Sequence, residues 1–324
     1  MAILLPICSS SIAVFSSSNM NLSSTFLLDY QPPFDYLTYT PLDDNGNDLG
    51  VSGENLPDWI DSVVIPSQFG NEPVIEVGLK GFKDNGNIKT VVVSEGVEKV
   101  GNQSFRNCWK LTTVRLPSSI ESINENAFSN CPYLSSIIVE RPASMGITKG
   151  CTNMFFFTPA EFKIYVPDDS VEAYKNDSYW DYYASQIYSM NMIHGDYAII
   201  DVSGGVSIFQ YLGISKNVQI PSVIDSNNVI EISEEAFALN SLVEKLTIPV
   251  SVAQIDNYAF YNASSLIEIN VLRPSSSGIT TAGSVIFLNN HINLKIYVES
   301  GSVSAYKQAS NWLWYVAKIS ALET

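Results

Sequence analysis

The chain has 324 residues, of which 46% are hydrophobic and only 15% charged, and its formal net charge is −16. That apolar content can bury a core, which excludes a globally disordered chain. The acidic balance repels phosphate backbones and anionic lipid surfaces, so no nucleic-acid partner is expected, and a membrane only through an N-terminal anchor.

Residues 1–15 (MAILLPICSSSIAVF) are strongly apolar but too short to span a bilayer as a helix, and Pro6 interrupts them. The apolar core and small-residue tail read as an export signal or anchor remnant that lacks a basic leader. A buried N-terminal strand is the other reading. Leu5-Pro6-Ile7 before Cys8 makes a poor lipoprotein box. Residues 16–24 (SSSNMNLSS) read as a flexible linker, which sets 1–24 apart from the folded chain. Residues 36–51 alternate and predict a hairpin. Asp43 to Asp48 fit an EF-hand loop poorly, since Pro41 and Ser52 would fill its first and last positions; a turn centred on Asn45-Gly46 is expected instead.

From Phe82 onward the chain repeats. Phe82, Phe105 and Phe128 recur at a spacing of 23, as do Phe237 and Phe260. Six residues after each Phe come Ile88, Leu111, Leu134, Val243 and Leu266. Nine after come Val91, Val114, Ile137, Leu246 and Ile269, and eleven after come Val93, Leu116, Val139, Ile248 and Val271. The alternation within Val114-Arg115-Leu116 predicts a short strand, closed by Pro117 and, in the later copy, by Pro249. A second apolar pair (Val97 and Val100, Ile120 and Ile123, Val252 and Ile255) predicts another short strand on the opposite wall. One coil cannot bury its own apolar face, whereas stacked coils bury a continuous core. Three residues after each Phe stand Asn85, Cys108, Cys131, Asn240 and Ala263. A metal or redox role would need cysteine in every copy, so a small inward residue in a tight turn is expected, with a stacked Cys108–Cys131 disulfide as the alternative. With Cys8 and Cys151 the chain holds four cysteines, too few for a disulfide scaffold at this length, and no CxxC.

A longer repeat contains the short one. Ile65-Pro66 and Phe82 match Ile220-Pro221 and Phe237 at an offset of 155. Phe128, Arg141-Pro142, Gly146-Ile147-Thr148, residues 163–166 (KIYV), Tyr174-Lys175, Trp180 and Ile187 find their matches at an offset of 132. The offsets differ by 23, so the first copy carries one extra unit. The expected fold is therefore mainly β: a leucine-rich-repeat solenoid of two tandem modules, 25–193 and 194–324, each closed by a strand plus a short helical cap. Ser170 and Ser302 are the expected helix N-caps.

The segments Asn126-Ala127-Phe128-Ser129-Asn130-Cys131-Pro132-Tyr133-Leu134 and Leu116-Pro117-Ser118-Ser119-Ile120 resemble the BspA-like leucine-rich-repeat family. Gly81 and Ser104 depart from that family's Ala before the Phe. The resemblance implies a surface-exposed or secreted protein that binds an extracellular protein or other cells. Similar repeats occur in phage-like tail proteins, which makes a virion-associated receptor binder the alternative. The family's motif contains no catalytic residues.

The residues themselves offer no chemistry either: no GxSxG, HExxH, P-loop or dinucleotide fingerprint, and His194 and His291 stand alone. Ser203-Gly204-Gly205 reads as a hairpin turn. Asp168-Asp169 reads as favourable charge at a helix start. A cryptic enzyme within 1–60 would have to work without His, Lys or Arg. The chain is read as a non-enzymatic binder of a protein or glycan, without cofactor or metal. The candidate ligand-facing row is the outward side of the repeated strands: Thr90, Val92, Thr113, Arg115, Ser136 and Ile138, then Lys245, Thr247, Glu268 and Asn270. The alternative is that these positions are β-branched only because strands favour such residues.

Overall fold

A computed structural model describes residues 36–42, 48–54, 56–151 and 153–323. The N-terminal segment and linker at 1–24, Cys8 and the Asn45-Gly46 turn lie outside the described residues.

The chain is mainly β, built from repeated coils with two short helices. Up to residue 192, each coil gives one strand to a front sheet. Its members are Ser62–Ile65, Thr90–Val93, Thr113–Leu116, Ser136–Val139, Lys163–Val166 and Ile187–Ser189, stacked in sequence order and all parallel. A back sheet starts with the predicted hairpin, Thr38–Pro41 against Leu49–Ser52, and continues in parallel through Glu72–Val77, Lys99–Val100 and Ser122–Ile123. The second half repeats the plan. Its back sheet opens with Ile193–His194, Tyr197–Val202 and Gly205–Tyr211, the last two joined by the Ser203-Gly204 turn, and its front sheet has five strands from Asn217–Gln219 to Ile319–Ala321. Six front strands against five is the extra unit expected from the two offsets. Within the regular coils neighbouring front strands pair at the offset of 23, Val114 with Ile137 and Leu246 with Ile269.

Between the sheets runs a ladder of aromatic rings. Phe82, Phe105, Phe128 and Phe155 stack at centroid distances of 5.1, 5.2 and 5.7 Å. Tyr211, Phe237, Phe260 and Phe287 form the second ladder at 5.2, 5.4 and 5.2 Å. Ring spacing thus follows the strand spacing of about 4.8 Å, and both ladders are buried. The rungs at Phe155, Tyr211 and Phe287 stand outside the sequence period.

The corner that carries each Phe has one backbone solution. The residues two before and two after every ladder Phe have positive φ: Lys80 and Asp84, Gln103 and Asn107, Asn126 and Asn130, and so on to Val285 and Asn289. The alternation of handedness sends N–H groups by turns to the next coil and back within the corner. Phe82 N–H donates to Ser104 O and Asp84 N–H to Arg106 O, while Lys83 and Asn85 N–H close on Lys80 O and Phe82 O. These backbone N–H groups thereby find partners inside the stack. Asn and Asp tolerate the left-handed region, which explains their recurrence two residues after Phe. Asn107 and Asn130 also link side chains down the stack, to Asp84 and Asn107 respectively.

The small-residue row behaves as a turn position. Asn85 Oδ1 accepts from Asn87 and Ile88 N–H, and Asn240 Oδ1 does the same for Leu242 and Val243. Cys108 and Cys131 are free, so no disulfide joins them, and each thiol donates to the carbonyl of the Phe one coil back. Burial pushes the Cys131 thiol up to about 12 and the Cys108 thiol well above its ordinary value, which leaves both as unreactive thiols.

Five of the landmarks shared at the offset of 132, Arg141, Gly146, Thr148, Tyr174 and Trp180, join in one hydrogen-bonded clasp. Arg141 Nε donates to Gly146 O, and Tyr174 OH donates to Arg141 O and accepts from Thr148 N–H. Trp180 Nε1 donates to Thr148 O. Arg273, Gly278, Tyr306, Thr280 and Trp312 repeat each bond. The aromatic residues lie on and after the short helices α1 (Val171–Lys175) and α2 (Val303–Gln308). Ser170 and Ser302 occupy the N-cap positions, but neither hydroxyl caps its own helix. They accept instead from Ala143 and Ser275 N–H, tying the helix start to the preceding Arg-Pro loop.

Two stability measurements check this core. Phe128→Ala should lower the unfolding free energy by about 3–5 kcal/mol, because its neighbours on both sides cannot close the gap; a loss under about 0.5 kcal/mol in urea melts would contradict its place in the ladder. Ser104 is fully buried and its hydroxyl has no partner. Ser104→Ala should therefore raise the midpoint, by about 1 kcal/mol of stability, and a fall in midpoint would mean that the hydroxyl is bonded.

Candidate ligand-binding face

The outward side of the front sheet differs between the two halves. In the first half the row is largely covered. Ser136 and Ile138 are 0% and 3% exposed and Thr90 3%, while Val92, Thr113 and Arg115 are half-buried. This corrects the expectation of a free row at Thr90, Ser136 and Ile138. The cover is the opening hairpin of the second half, which lays Ala198, Phe209 and Leu212 over Ile138, Tyr165, Tyr188 and Met190. Tyr165 OH donates to Gln210 Oε1 at 2.7 Å, and Gln210 Nε2 donates to Ser135 O at 3.1 Å. The ammonium of Lys163 lies 5.2 Å from the Phe209 ring centre. Burial pushes the Lys163 pKa down, with Glu235 and Glu161 acting in the opposite sense. Further along, burial pushes the Lys89 pKa down, with Asp61 acting in the opposite sense. Thr90 Oγ1 is bonded to Ser62 Oγ at 2.5 Å. Arg115 is held by Glu140 at 2.5 Å.

The second-half row is exposed at one position only, Lys245, since Thr247, Glu268 and Asn270 are half-buried like Val92, Thr113 and Arg115. Lys245 and Glu268 pair at 3.1 Å, and Asn270 Nδ2 reaches Glu268 Oε1 at 3.4 Å while its own carbonyl oxygen has no donor. The following strand adds Lys295 and Tyr297, in register with Glu268 and Asn270. These two were missed as site residues because their strand was read as a cap; the match of residues 163–166 with 295–298 was the available signal. The face therefore offers both signs of charge, amides, a hydroxyl and one aromatic ring on a rigid parallel sheet. Among the described residues no group of three His, Cys, Asp or Glu is placed to hold a metal ion, and no helix is long and apolar enough to cross a membrane.

Stacked parallel strands, one per coil, with an aromatic ladder behind them define a leucine-rich-repeat protein. This chain belongs to the BspA-type leucine-rich-repeat family, whose sequence profile, described as "BspA type Leucine rich repeat region", matches residues 60–181 and 206–310 in six copies. Among solved structures it is similar to the T. pallidum leucine-rich-repeat protein TpLRR, with 19% identity, 80% of this chain and 89% of that one covered, and a TM-score of 0.31. It is also similar to a leucine-rich repeat protein from Bacteroides capillosus, with 28% identity, 40% and 94% covered, and a TM-score of 0.34. A leucine-rich cell surface protein from Faecalibacterium prausnitzii matches at 17% identity, 91% and 95% covered, and a TM-score of 0.27. No curated protein matches the chain.

The clasp between the halves is testable. Gln210→Ala strands the buried Tyr165 OH, while Ser135 O keeps Lys163 N–H, and should cost about 1–3 kcal/mol in urea unfolding. An unchanged midpoint would show that water replaces the amide there.

Proposed function

We propose that this protein is a non-enzymatic binding protein of the cell surface or extracellular space, and that its ligand, a protein or glycan, meets the front sheet of the second half. The observation that carries the reading is the contrast between two equivalent faces: in the first, Ile138 and Tyr165 are packed under the second half, while in the second Lys245 and Lys295 are exposed and Thr247, Glu268, Asn270 and Tyr297 are half-buried around them. Binding residues on a rigid β scaffold need little ordering on association. The acidic, low-charge composition and the family membership support an extracellular setting. The name of the F. prausnitzii protein describes a surface location for that protein. Nothing in the family match or the solved neighbours points to a virion, and that alternative is set aside.

The reading carries an organisation with it. Two solenoid modules, 25–193 and 194–324, follow a separate segment at 1–24, each module closed by its own strand and helix cap. Module one serves as the base that holds module two, and module two presents the face.

The test is binding to immobilised extracellular-matrix proteins and a glycan array. A Lys245→Glu, Tyr297→Ala double variant should lose at least about tenfold in affinity, a loss of the size single hot-spot residues carry. Arg115→Ala in module one should leave binding unchanged. Equal capture by wild type and double variant would remove this face from consideration.

A further inference from the structure

The two closing segments have the same backbone plan but different outer surfaces. In the second half the 3-10 segment Leu313–Lys318 lies over residues 287–292, joined by the Tyr315 hydroxyl to Phe287 N–H at 3.3 Å and by Lys318 Nζ to Ile292 O at 2.9 Å. Tyr315 packs its edge on Phe287. This layer leaves Ile292, Trp314 and Leu313 at 85%, 79% and 55% exposure, with Leu288 and Val316 also exposed. The equivalent positions of the first half hold Ala160, Tyr182, Asp181, Phe156 and Ala184, and Glu161 stands where the second half has Asn293. Phe156, Phe157, Tyr179 and Tyr182 are exposed in that first closing segment as well, so the two differ less in apolar area than in charge: carboxylates are interleaved with the first set. The second segment has therefore exchanged both carboxylates and two alanines for Leu, Asn, Ile and Val.

The end of a repeat stack is ordinarily finished with a polar surface that keeps it soluble. Here five apolar side chains expose roughly 600 Å² in one layer, at the top of what a monomer normally shows. We propose that this closing layer is a self-association surface, and that two copies of the chain meet through it about a two-fold axis. Two such patches would bury roughly 1,200 Å² together, the lower bound of a specific, stable interface. A two-fold contact needs one self-complementary patch, and an apolar one is complementary to itself. Electrostatics point to the same place: two chains of net charge −16 repel, and the segments 287–292 and 313–318 contain no carboxylate. Aliphatic Ile292, the most exposed of the five, suits a second apolar patch and not a sugar, which would use flat aromatic rings flanked by polar groups. The surface is separate from the proposed ligand face, and the inference does not depend on it.

Sedimentation velocity of the full chain over a low- to high-micromolar range tests this. The expected result is a concentration-dependent shift to twice the mass of one chain. Ile292→Glu and, separately, Trp314→Asp should each abolish the shift while circular dichroism and melting temperature stay at wild-type values. Tyr182→Asp, at the equivalent place in the first closing segment, should dimerise like wild type. A chain that stays monomeric at every concentration would overturn the proposal, as would a dimer that survives both variants. So would a monomer that instead floats with neutral phosphatidylcholine vesicles, which would assign the patch to lipid.

Discussion

The structure depends on a match between two distances. Parallel strands repeat at about 4.8 Å, and offset-stacked aromatic rings keep their centroids about 4.5–7 Å apart. A side chain of the same kind at the same place in each coil therefore meets its own copy. The ladder from Phe82 to Phe155 forms for that reason, and so does the ladder from Tyr211 to Phe287. Once the rings fix the register, the inward Val, Ile and Leu of the front strands follow. The left-handed residues flanking each Phe are then the local cost of turning the chain around a ring that must point inward. Asn and Asp lower that cost where they occur. Val285 and Leu239 bear it in full, and the stack around them holds the geometry.

Most of this was legible because periodicity reports which side chains share an environment. The spacing of the Phe row, the strand positions, the opposite-wall strands and the closing aromatics could all be read from recurrence. Three ladder rungs could not. Phe155 and Phe287 come later than the period would place them after Phe128 and Phe260, and Tyr211 comes earlier than it would before Phe237. The Arg-Pro loops, and Val223–Ile224 folded back on Asn227–Ile232, insert chain between rungs without changing the rise of the stack. The roles of Arg141, Thr148 and Trp180 were visible as coincidences between halves, but their meaning lies in hydrogen bonds to backbone carbonyls that no side-chain pattern encodes. The candidate face was half legible. Alternation says which residues point outward, and Thr90, Ser136 and Ile138 do so, yet it is silent about what is packed on top of them. The hint was Ile138, the most apolar member of the row.

Duplication explains why the two halves share a plan but differ at their front faces. Position 138 is Ile and its counterpart at 270 is Asn; 136 is Ser and its counterpart at 268 is Glu. Lys163 and Tyr165 keep their identities at Lys295 and Tyr297, but only the first pair meets Phe209 and Gln210. The opening hairpin of the first half sets Thr38 opposite Ser52, not an aromatic–amide pair. Two copies that began alike have thus diverged at their faces, while the clasp around Tyr174 and Tyr306 stayed fixed by its geometry.

The stacking direction also decides how the molecule responds to being pulled. Tension along the stack loads the bonds of one strand at a time, as in a zipper, instead of shearing a whole sheet together. Each coil that peels away would release roughly 80 Å of chain. The side-chain contacts through Gln210 and Phe209 have no ladder of backbone bonds behind them and would part before any coil did. A protein tethered at one end and held at the other in flowing fluid would then lengthen in steps, the joint first and the coils after it, and each step would dissipate load before the ligand was pulled free.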